Sequence, residues 1–344
     1  MTSDALLVTI GEFPASNGVL RALPGATKDG HRVANWLKAH APGIDVIPLC
    51  WPADPPKPDL KPINRSAVES EITTLLTVTA AAMRDRLFVY FSGHGRSNIA
   101  QPAMPAVYCA QHRRALPDLF FSFNWIPLLT ASPAYREYLF FFDCCNDFQT
   151  DPLPPVQIPD IDPRADRPSV LVVTASQPGE QAIESASGGL FTDVLLEALS
   201  GSAGSPDSDV VTAAHLVDYL KEVVPIRAKD IDPTRTQRPK SWFDSDQHAD
   251  LASYRLFQRE KVDVDVSPLL NGHAATDIEV FDFKFQPVSG LTVGAAGGAM
   301  LDGVFPGQYL LKGRNNGWVQ AFKVRTPVDA DGSVKPVAEA VQLS

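Results

Sequence analysis

Cysteine is scarce in this chain. Only four occur in 344 residues, at positions 50, 109, 144 and 145, too few and too unevenly spaced for a disulfide framework or a paired C-x-x-C zinc site. Positive charge is short as well. Against 40 Asp and Glu stand 30 Lys and Arg, giving a formal net charge of −10 with no basic block to offset it, so nucleic acid is a poor match as a partner. Long apolar runs are missing: none approaches the roughly 18 residues that span a bilayer, which argues against a membrane partner. No basic leader or small-residue cleavage site accompanies the first strand-like run, LLVTIGEF (6–13), and we expect a soluble, cytoplasmic protein whose thiols stay reduced. What is present is ordinary for a globular protein, with 44% hydrophobic and 20% charged residues. The length suits one large domain and a small one.

Residues 6–257 alternate between strand-like and helix-like stretches. LLVTI (6–10), IDVIPLC (44–50), LFVYF (87–91), YLFFF (138–142) and SVLVV (169–173) are short, rich in branched and aromatic residues and mostly not alternating, as expected of strands covered on both faces. Helical patterns fall between them. Val33, Trp36 and Leu37 share a face, and Ser66 with Glu69 suggests a capping box ahead of Val68, Ile72, Leu75 and Leu76. FTDVLLEAL (191–199) and the Thr212-led TAAHLVDYLKEVV (212–224) supply two more helices. Strands alternating with helices predict an α/β fold with a mostly parallel, doubly wound sheet. In such sheets sites form at the carboxyl ends of strands.

The stretch 146–168 is dominated by Pro and Asp, exceeds the usual connection, and reads as a lid, a binding loop or a processing loop. Beyond about residue 258 helical periodicity ends. DIEVFDFKF (277–285), GQYLLKG (307–313), GWVQAFKVR (317–325) and VAEAVQL (337–343) are β-prone, and Asn315–Asn316–Gly317 suits a hairpin turn. The expected boundaries are 1–258 for the α/β domain and 259–344 for a small antiparallel β-sandwich. LDGVFPGQYLLKGR (301–314) resembles the G-x-x-P-G-x-Y strand pair of carboxypeptidase-regulatory and other transthyretin-like modules. That likeness implies a binding or scaffolding accessory.

Two strands end in chemically loaded turns. LFVYF runs into Ser92–Gly93–His94–Gly95, and YLFFF into Asp143–Cys144–Cys145. A free thiol is mostly protonated near neutral pH and needs a base or a positive neighbour to act as a nucleophile. His94 can be that base and later protonate a leaving amine. The glycines beside it would let a backbone approach closely, and the N–H groups of Gly95 and Cys145 could hold an oxyanion. Taken alone, an isolated His is more often structural, and a thiol at a strand end is more often an inert small hydrophobe. The pair of motifs shifts that balance.

SGHG (92–95) and DCC (143–145) resemble the S-G-H-G and D-x-C blocks of the caspase/metacaspase superfamily (peptidase C14, clan CD), and the chain is similar to its bacterial type. The 51 residues from His94 to Cys145 match the caspase His, about 50 residues upstream of the nucleophile. LLVTIGEF…LPGATKDGHRVANWL resembles that family's opening strand, G-x-x-x-D loop and first helix. VLVVTAS, GGLFTDVLLEAL and VTAAHLVDYL resemble its later strand and helices. The likeness covers roughly residues 1–258 and implies a caspase-hemoglobinase fold and peptide-bond hydrolysis by a Cys–His dyad. It implies Cys145 as nucleophile, with Cys144 at the variable position, and the strand pleat then turns Cys144 away from His94. It also implies a P1 pocket of Asp29, Ser92 and Asp143. Two carboxylates suit arginine or lysine, and Leu23 stands where true caspases carry an aspartate-binding arginine, so we expect cleavage after Arg or Lys. Asp29 alone would equally suit a helix start, where a carboxylate complements the macrodipole.

Departures from the family pattern shape the remaining expectations. Asn146–Asp147–Phe148 replaces the usual H-S-G, and an acid near the thiol would raise its pKa. We expect no cofactor, with activation by Ca²⁺ left open as an unsupported alternative: the acidic ligands of calcium-dependent relatives are not apparent in AVYCAQHRR (106–114), and the aspartates of 147–166, which could offer oxygen ligands, lack EF-hand spacing. Arg164 is the expected self-cleavage site, because Arg167 precedes proline. The alternative to a peptidase is a catalytically weak caspase-like interaction module in a regulatory or defence complex, using residues 265–344 to bind a protein partner. A thiol–disulfide oxidoreductase built on vicinal Cys144–Cys145 has little support without C-x-x-C spacing.

Overall fold

The computed structural model describes residues 2–52, 61–76, 83–98, 105–113, 115, 117–149, 167–185, 188–204, 208–245, 255–282, 285–293, 298–315 and 317–341, apart from the side chains of residues 98, 121, 123 and 147–149. The self-cleavage candidate Arg164, most of the Pro/Asp stretch around it and the side chain of Asp147 lie outside the described residues. Two compact units result: Met1–Val194 with Leu220–Leu251 and Ala330–Gly332, and Leu195–Tyr219 with Ala252–Asp329 and Ser333–Ser344.

In chain order the elements are β1 (Ser3–Ile10), α1 (Pro24–His40), β2 (Ile44–Trp51), α2 (Arg65–Leu76), β3 (Arg84–Gly93), β4 (Gly95–Asn98), β5 (Ala106–Tyr108), β6 (Leu119–Phe121), α3 (Ser122–Ala131), β7 (Tyr135–Cys144) and β8 (Asp147–Gln149). They continue with β9 (Ser169–Thr174), β10 (Glu184–Ser185), β11 (Gly188–Gly189), α4 (Leu190–Glu197), β12 (Val210–Thr212), α5 (Ala213–Ile231), β13 (Lys240–Asp244), β14 (Arg255–Gln258), β15 (Val262–Asp265), β16 (Ile278–Asp282), β17 (Leu291–Val293), β18 (Ala299–Val304), β19 (Gly307–Gly313), β20 (Val319–Arg325) and β21 (Val337–Val341).

The six-stranded sheet of the first unit runs β13-β9-β7-β3-β1-β2. Five strands are parallel, and β13 closes one edge antiparallel to β9. The five expected strands all lie in it. The sixth, KSWFD, carries only Trp242 and Phe243 as apolar residues and gave no strand signal, because an edge strand needs less apolar surface. The pleat splits β7 cleanly. Tyr138, Phe140, Phe142 and Cys144 join one core with Val89 and Phe91 of β3, so the alternate residues, Phe141 and Asp143, point to the other face. Phe91 stacks on both Phe120 and Phe142, each at 5.1 Å between centroids. Each such buried ring contributes roughly 1.5–3 kcal/mol.

Helix α2 starts one residue before the Ser66 suggested by its sequence. Asn64 accepts from Ala67 N–H through its side chain at 2.9 Å, while Glu69 is turned to Arg65 and Trp125. The capping box Ser66/Glu69 is therefore not formed: Asn is at least as good a cap as Ser, and Glu69 is taken by a neighbour one turn away and by Trp125. Helix α5 is capped by Thr212, whose Oγ1 accepts from His215 N–H at 3.2 Å, and continues through Pro225 to Ile231. Among the described residues the second unit contains three antiparallel sheets, β12-β14, β15-β18-β17 and β16-β19-β20-β21. The last two share a core that includes Val264, Leu301, Tyr309, Leu311, Phe322 and Val324. In the expected β19–β20 turn Gly317 takes φ +68°, a left-handed conformation that glycine adopts without strain.

Candidate active site

Register places three polar side chains in one row. Thr9 of β1 pairs with Ser92 of β3, and Ser92 pairs with Asp143 of β7. All three are buried on the face opposite the Phe91–Phe142 core. Helix α1 crosses this face. A Cβ on Gly30 would stand 2.6 Å from Thr9 Cγ2, so glycine there lets the helix press onto the sheet and brings Asp29 toward Asp143.

Beyond the row the two strands end in His94 and Cys145. Both line one pocket with Asp29, Ser92, Asp143 and Glu184. His94 Nε2 lies 2.9 Å from the carbonyl oxygen of Arg21, and the Phe13 ring packs on the imidazole at 5.0 Å. A carbonyl can only accept, so Nε2 carries a proton, and in the neutral imidazole Nδ1 is then the nitrogen that can act as a base. Cys145 follows the last residue of β7 and is half-buried, whereas Cys144 is buried. A Cβ on Gly95 would stand 2.5 Å from Cys144 Sγ and 2.8 Å from Cys145 O. The close approach that this glycine permits is to the chain's own Cys144–Cys145 segment. Burial pushes the Cys144 thiol well above its ordinary pKa, with the charges of Cys145 and Asp143 adding to the effect.

Asp29 and Asp143 converge on Gly188–Gly189, the opening pair of GGLFTDVLLEAL, to which the sequence assigned no role at the site. Gly189 N–H donates to Asp29 Oδ2 at 2.7 Å, and Thr192 donates to Asp143 Oδ2 through its N–H at 3.2 Å and its hydroxyl at 2.6 Å. A Cβ on Gly189 would overlap Asp143 Oδ2, and one on Gly188 would overlap Asp29 Oδ1. Two glycines before the start of α4 thus let the backbone lie against both carboxylates. Burial, then the neighbouring Asp143 charge, raises the Asp29 pKa well above the carboxylate range. Burial also raises Asp143, to about 7, against the opposing hydrogen bonds from Thr192. Arg32 lies 3.3 Å from Asp29 Oδ1 and also pairs with Asp193. The first turn of α1 carries no acidic residue. Asp29 lies in the second turn, so the macrodipole role expected of it falls away, and Glu184 takes that place: its Oε1 accepts from Ala26 N–H at 3.1 Å.

Asn146, which departs from the family pattern, is fully buried and fully engaged. Its Oδ1 accepts from Ser97 Oγ at 3.0 Å and its Nδ2 donates to Ser176 O at 3.0 Å. Its N–H donates to Glu180 O at 3.0 Å, and its carbonyl accepts from Gly179 N–H at 2.7 Å. The residue after the thiol thereby ties the segment following His94 to the loop following β9. Asn146→Ala is expected to cost about 1–3 kcal/mol by orphaning buried partners and to slow iodoacetamide labelling of Cys145, followed by mass spectrometry. Unchanged labelling would show that the clamp does not set the thiol.

Among the described residues no group of three or more His, Cys, Asp and Glu side chains is arranged to hold a metal ion. No helix among them is long and apolar enough to cross a membrane.

The caspase-domain model of peptidase C14 matches residues 2–247. The chain therefore belongs to the caspase-domain family, a family of cysteine peptidases that act on protein substrates. Among solved structures it is similar to caspase-1 from Spodoptera frugiperda, at 16% identity over 71% of this chain and 86% of that one, with a TM-score of 0.47. It is likewise similar to a protein from Geobacter sulfurreducens, at 15% identity over 75% and 98% of the two chains and a TM-score of 0.47. No curated protein matches the chain.

Proposed function

We propose that the chain is a cysteine endopeptidase of the metacaspase group that hydrolyses protein substrates after Arg or Lys. One observation carries the reading: His94, Cys145, Ser92, Asp29 and Asp143 line a single pocket. In this reading Nδ1 of His94 takes the Cys145 proton as Sγ attacks the scissile carbonyl carbon. The N–H groups of Gly95 and Cys145 hold the oxyanion, and the imidazolium then protonates the departing amine. Water, deprotonated by the same imidazole, attacks the thioester and releases the acid and the thiol. Asp29, Ser92 and Asp143 receive the basic P1 side chain, residues 265–344 offer a surface for a protein partner, and Arg164 is the self-cleavage site. No cofactor enters any step.

The test is turnover of fluorogenic peptides that differ only in Arg, Lys or Asp at P1, with and without Ca²⁺. Turnover of the Arg and Lys peptides and not the Asp peptide is expected. Cleavage of the Asp peptide alone would overturn the pocket assignment. No turnover under either condition would return the chain to the interaction-module reading.

A further inference from the structure

The two ends of α4 are held by different neighbours. Leu190–Val194 belong to the first compact unit and Leu195–Glu197 to the second. At the near end Thr192 donates twice to Asp143 Oδ2, Asp193 pairs with Arg32, and the Gly189 N–H just before the helix donates to Asp29 Oδ2. At the far end stands Glu197, 1% exposed. Arg325 of β20 binds both of its oxygens, Nε to Oε1 and Nη2 to Oε2, each at 2.7 Å. The Tyr219 hydroxyl donates to Oε1 as well.

Elementary electrostatics makes this far end unusual. A helix C-terminus favours cations, yet α4 carries no basic residue in its last turn and ends on a buried carboxylate. Such a charge is tolerated only when it is paired, and Arg325 supplies the cation from another element. Its planar fork fixes direction as well as charge, because two parallel N–H···O bonds leave little freedom to rotate. A π-helical turn, Ala198–Ser202, follows directly, with Gly201 at φ +112°. There the fully buried Thr326, next to Arg325 in sequence, places its Oγ1 3.3 Å from Glu197 O and 3.3 Å from Ser200 O. The span from Thr192 to Glu197 is only about 7.5 Å of helix, and Val194, Leu195 and Leu196 between them are buried. A segment so short and so tightly packed moves as one body.

We propose that Arg325 is a positioning residue for the pocket: by gripping Glu197 at one end of α4 it sets how the other end holds Thr192 and Gly189 against Asp143 and Asp29. The inference rests on the peptidase reading for the role of that pocket, whereas the grip itself is open to test without turnover. When Arg325 lets go, α4 is free to shift along its axis, and the two Thr192 hydrogen bonds to Asp143 lengthen. A carboxylate that loses donors ionises less readily, so the effect of β20 reaches the substrate site as a change in when Asp143 carries its charge.

Arg325→Met alone would strand a buried carboxylate and endanger folding, so the test removes both charges with Glu197→Gln plus Arg325→Met. The new amide oxygen still accepts from Tyr219. Leu311→Ala serves as the control, since it opens the buried core of the second unit and touches no bond of α4. Hydrogen exchange followed by mass spectrometry on the full chain reads the Gly189 and Thr192 amides directly. Exchange in 188–194 is expected to quicken at least about tenfold in the double variant, the scale of one lost hydrogen bond, while β3, β7 and the Leu311→Ala chain keep wild-type rates there. Unchanged exchange in 188–194, or equal quickening in Leu311→Ala, overturns the proposal. The second readout is the ratio of kcat/KM for peptides identical except for Arg or citrulline, its neutral isostere, at P1. The pH at which that ratio climbs is expected to move upward by roughly half a pH unit or more in the double variant, and in the same direction in Thr192→Val, which removes one donor outright. A climb that stays at the wild-type pH in the double variant overturns the proposal. If the wild type hydrolyses neither peptide, only the peptidase reading fails and the exchange rates decide the grip.

Discussion

Replacing Cys145 by alanine is expected to lower kcat for an arginyl peptide by roughly 10⁴-fold or more, the scale seen when a nucleophile is removed, whereas Cys144→Ala keeps turnover. The two thiols are neighbours in sequence and differ in everything that governs reactivity. Cys144 ends β7 inside the aromatic core, against Gly95, and burial holds its thiol protonated. Cys145 lies just past the strand, half-buried, in the pocket that His94 also lines. Only the second lines that pocket. Removing the Cys144 sulfur should act on stability through lost contacts with Gly95 and the core, on the order of 1 kcal/mol. His94→Ala should lower kcat by about 10²–10⁴-fold, the worth of a positioned general base. Steady-state assays and urea unfolding on the three variants separate these effects. Turnover that survives Cys145→Ala and disappears in Cys144→Ala would reverse the assignment.

The second large effect concerns pH. Asp143 is raised to about 7, chiefly by burial, while an unfolded aspartate ionises near about 4. Between those values the folded chain holds a proton that the unfolded chain has lost, so stability falls as pH rises across that window. The whole contribution is on the order of a few kcal/mol, and Asp143→Asn should flatten the slope in urea unfolding at pH 5 and pH 8. Substrate responds in the opposite sense. A guanidinium favours the ionised pair, so kcat/KM for an Arg peptide, divided by that for its citrulline analogue, should climb as pH passes through about 7. The division cancels the ionisation of the Cys–His couple, which both peptides share. A ratio flat with pH in the wild type, or one still climbing in Asp143→Asn, would dismiss the buried carboxylate as the titrating group.

How much of this was readable in the sequence depended on whether a residue acts through its strand or across the fold. The five parallel strands were visible because YLFFF and LFVYF are continuous apolar runs, and burial on both faces demands such runs. His94 and the Cys144–Cys145 pair were visible because each motif ends one of those runs. The choice of Cys145 and the grouping of Asp29, Ser92 and Asp143 came from the resemblance to the caspase/metacaspase superfamily. Glu184, Gly189 and Thr192 were not: their partners are Ala26, Asp29 and Asp143, and no local periodicity encodes an approach between such distant segments. Asn146 was noticed only as an oddity, and its four hydrogen bonds show it as a clamp. The capping residue of α2 was missed by two positions, because Ser and Asn cap about equally well and Glu69 is drawn to Arg65 and Trp125 instead.

The β10–β11 hairpin that lines the pocket comes just past the middle of the chain. Residues 184–189 are separated from the α1 start by 158 positions for the Glu184–Ala26 bond and 160 for the Gly189–Asp29 bond. At roughly 5–20 residues per second of synthesis, on the order of ten to thirty seconds separate the two walls leaving the ribosome. His94 and Cys145 are both made within that interval, and until it ends the cavity beside them has only one side. The wide sequence separation thus delays assembly of the pocket until residue 189 of 344 has been synthesised.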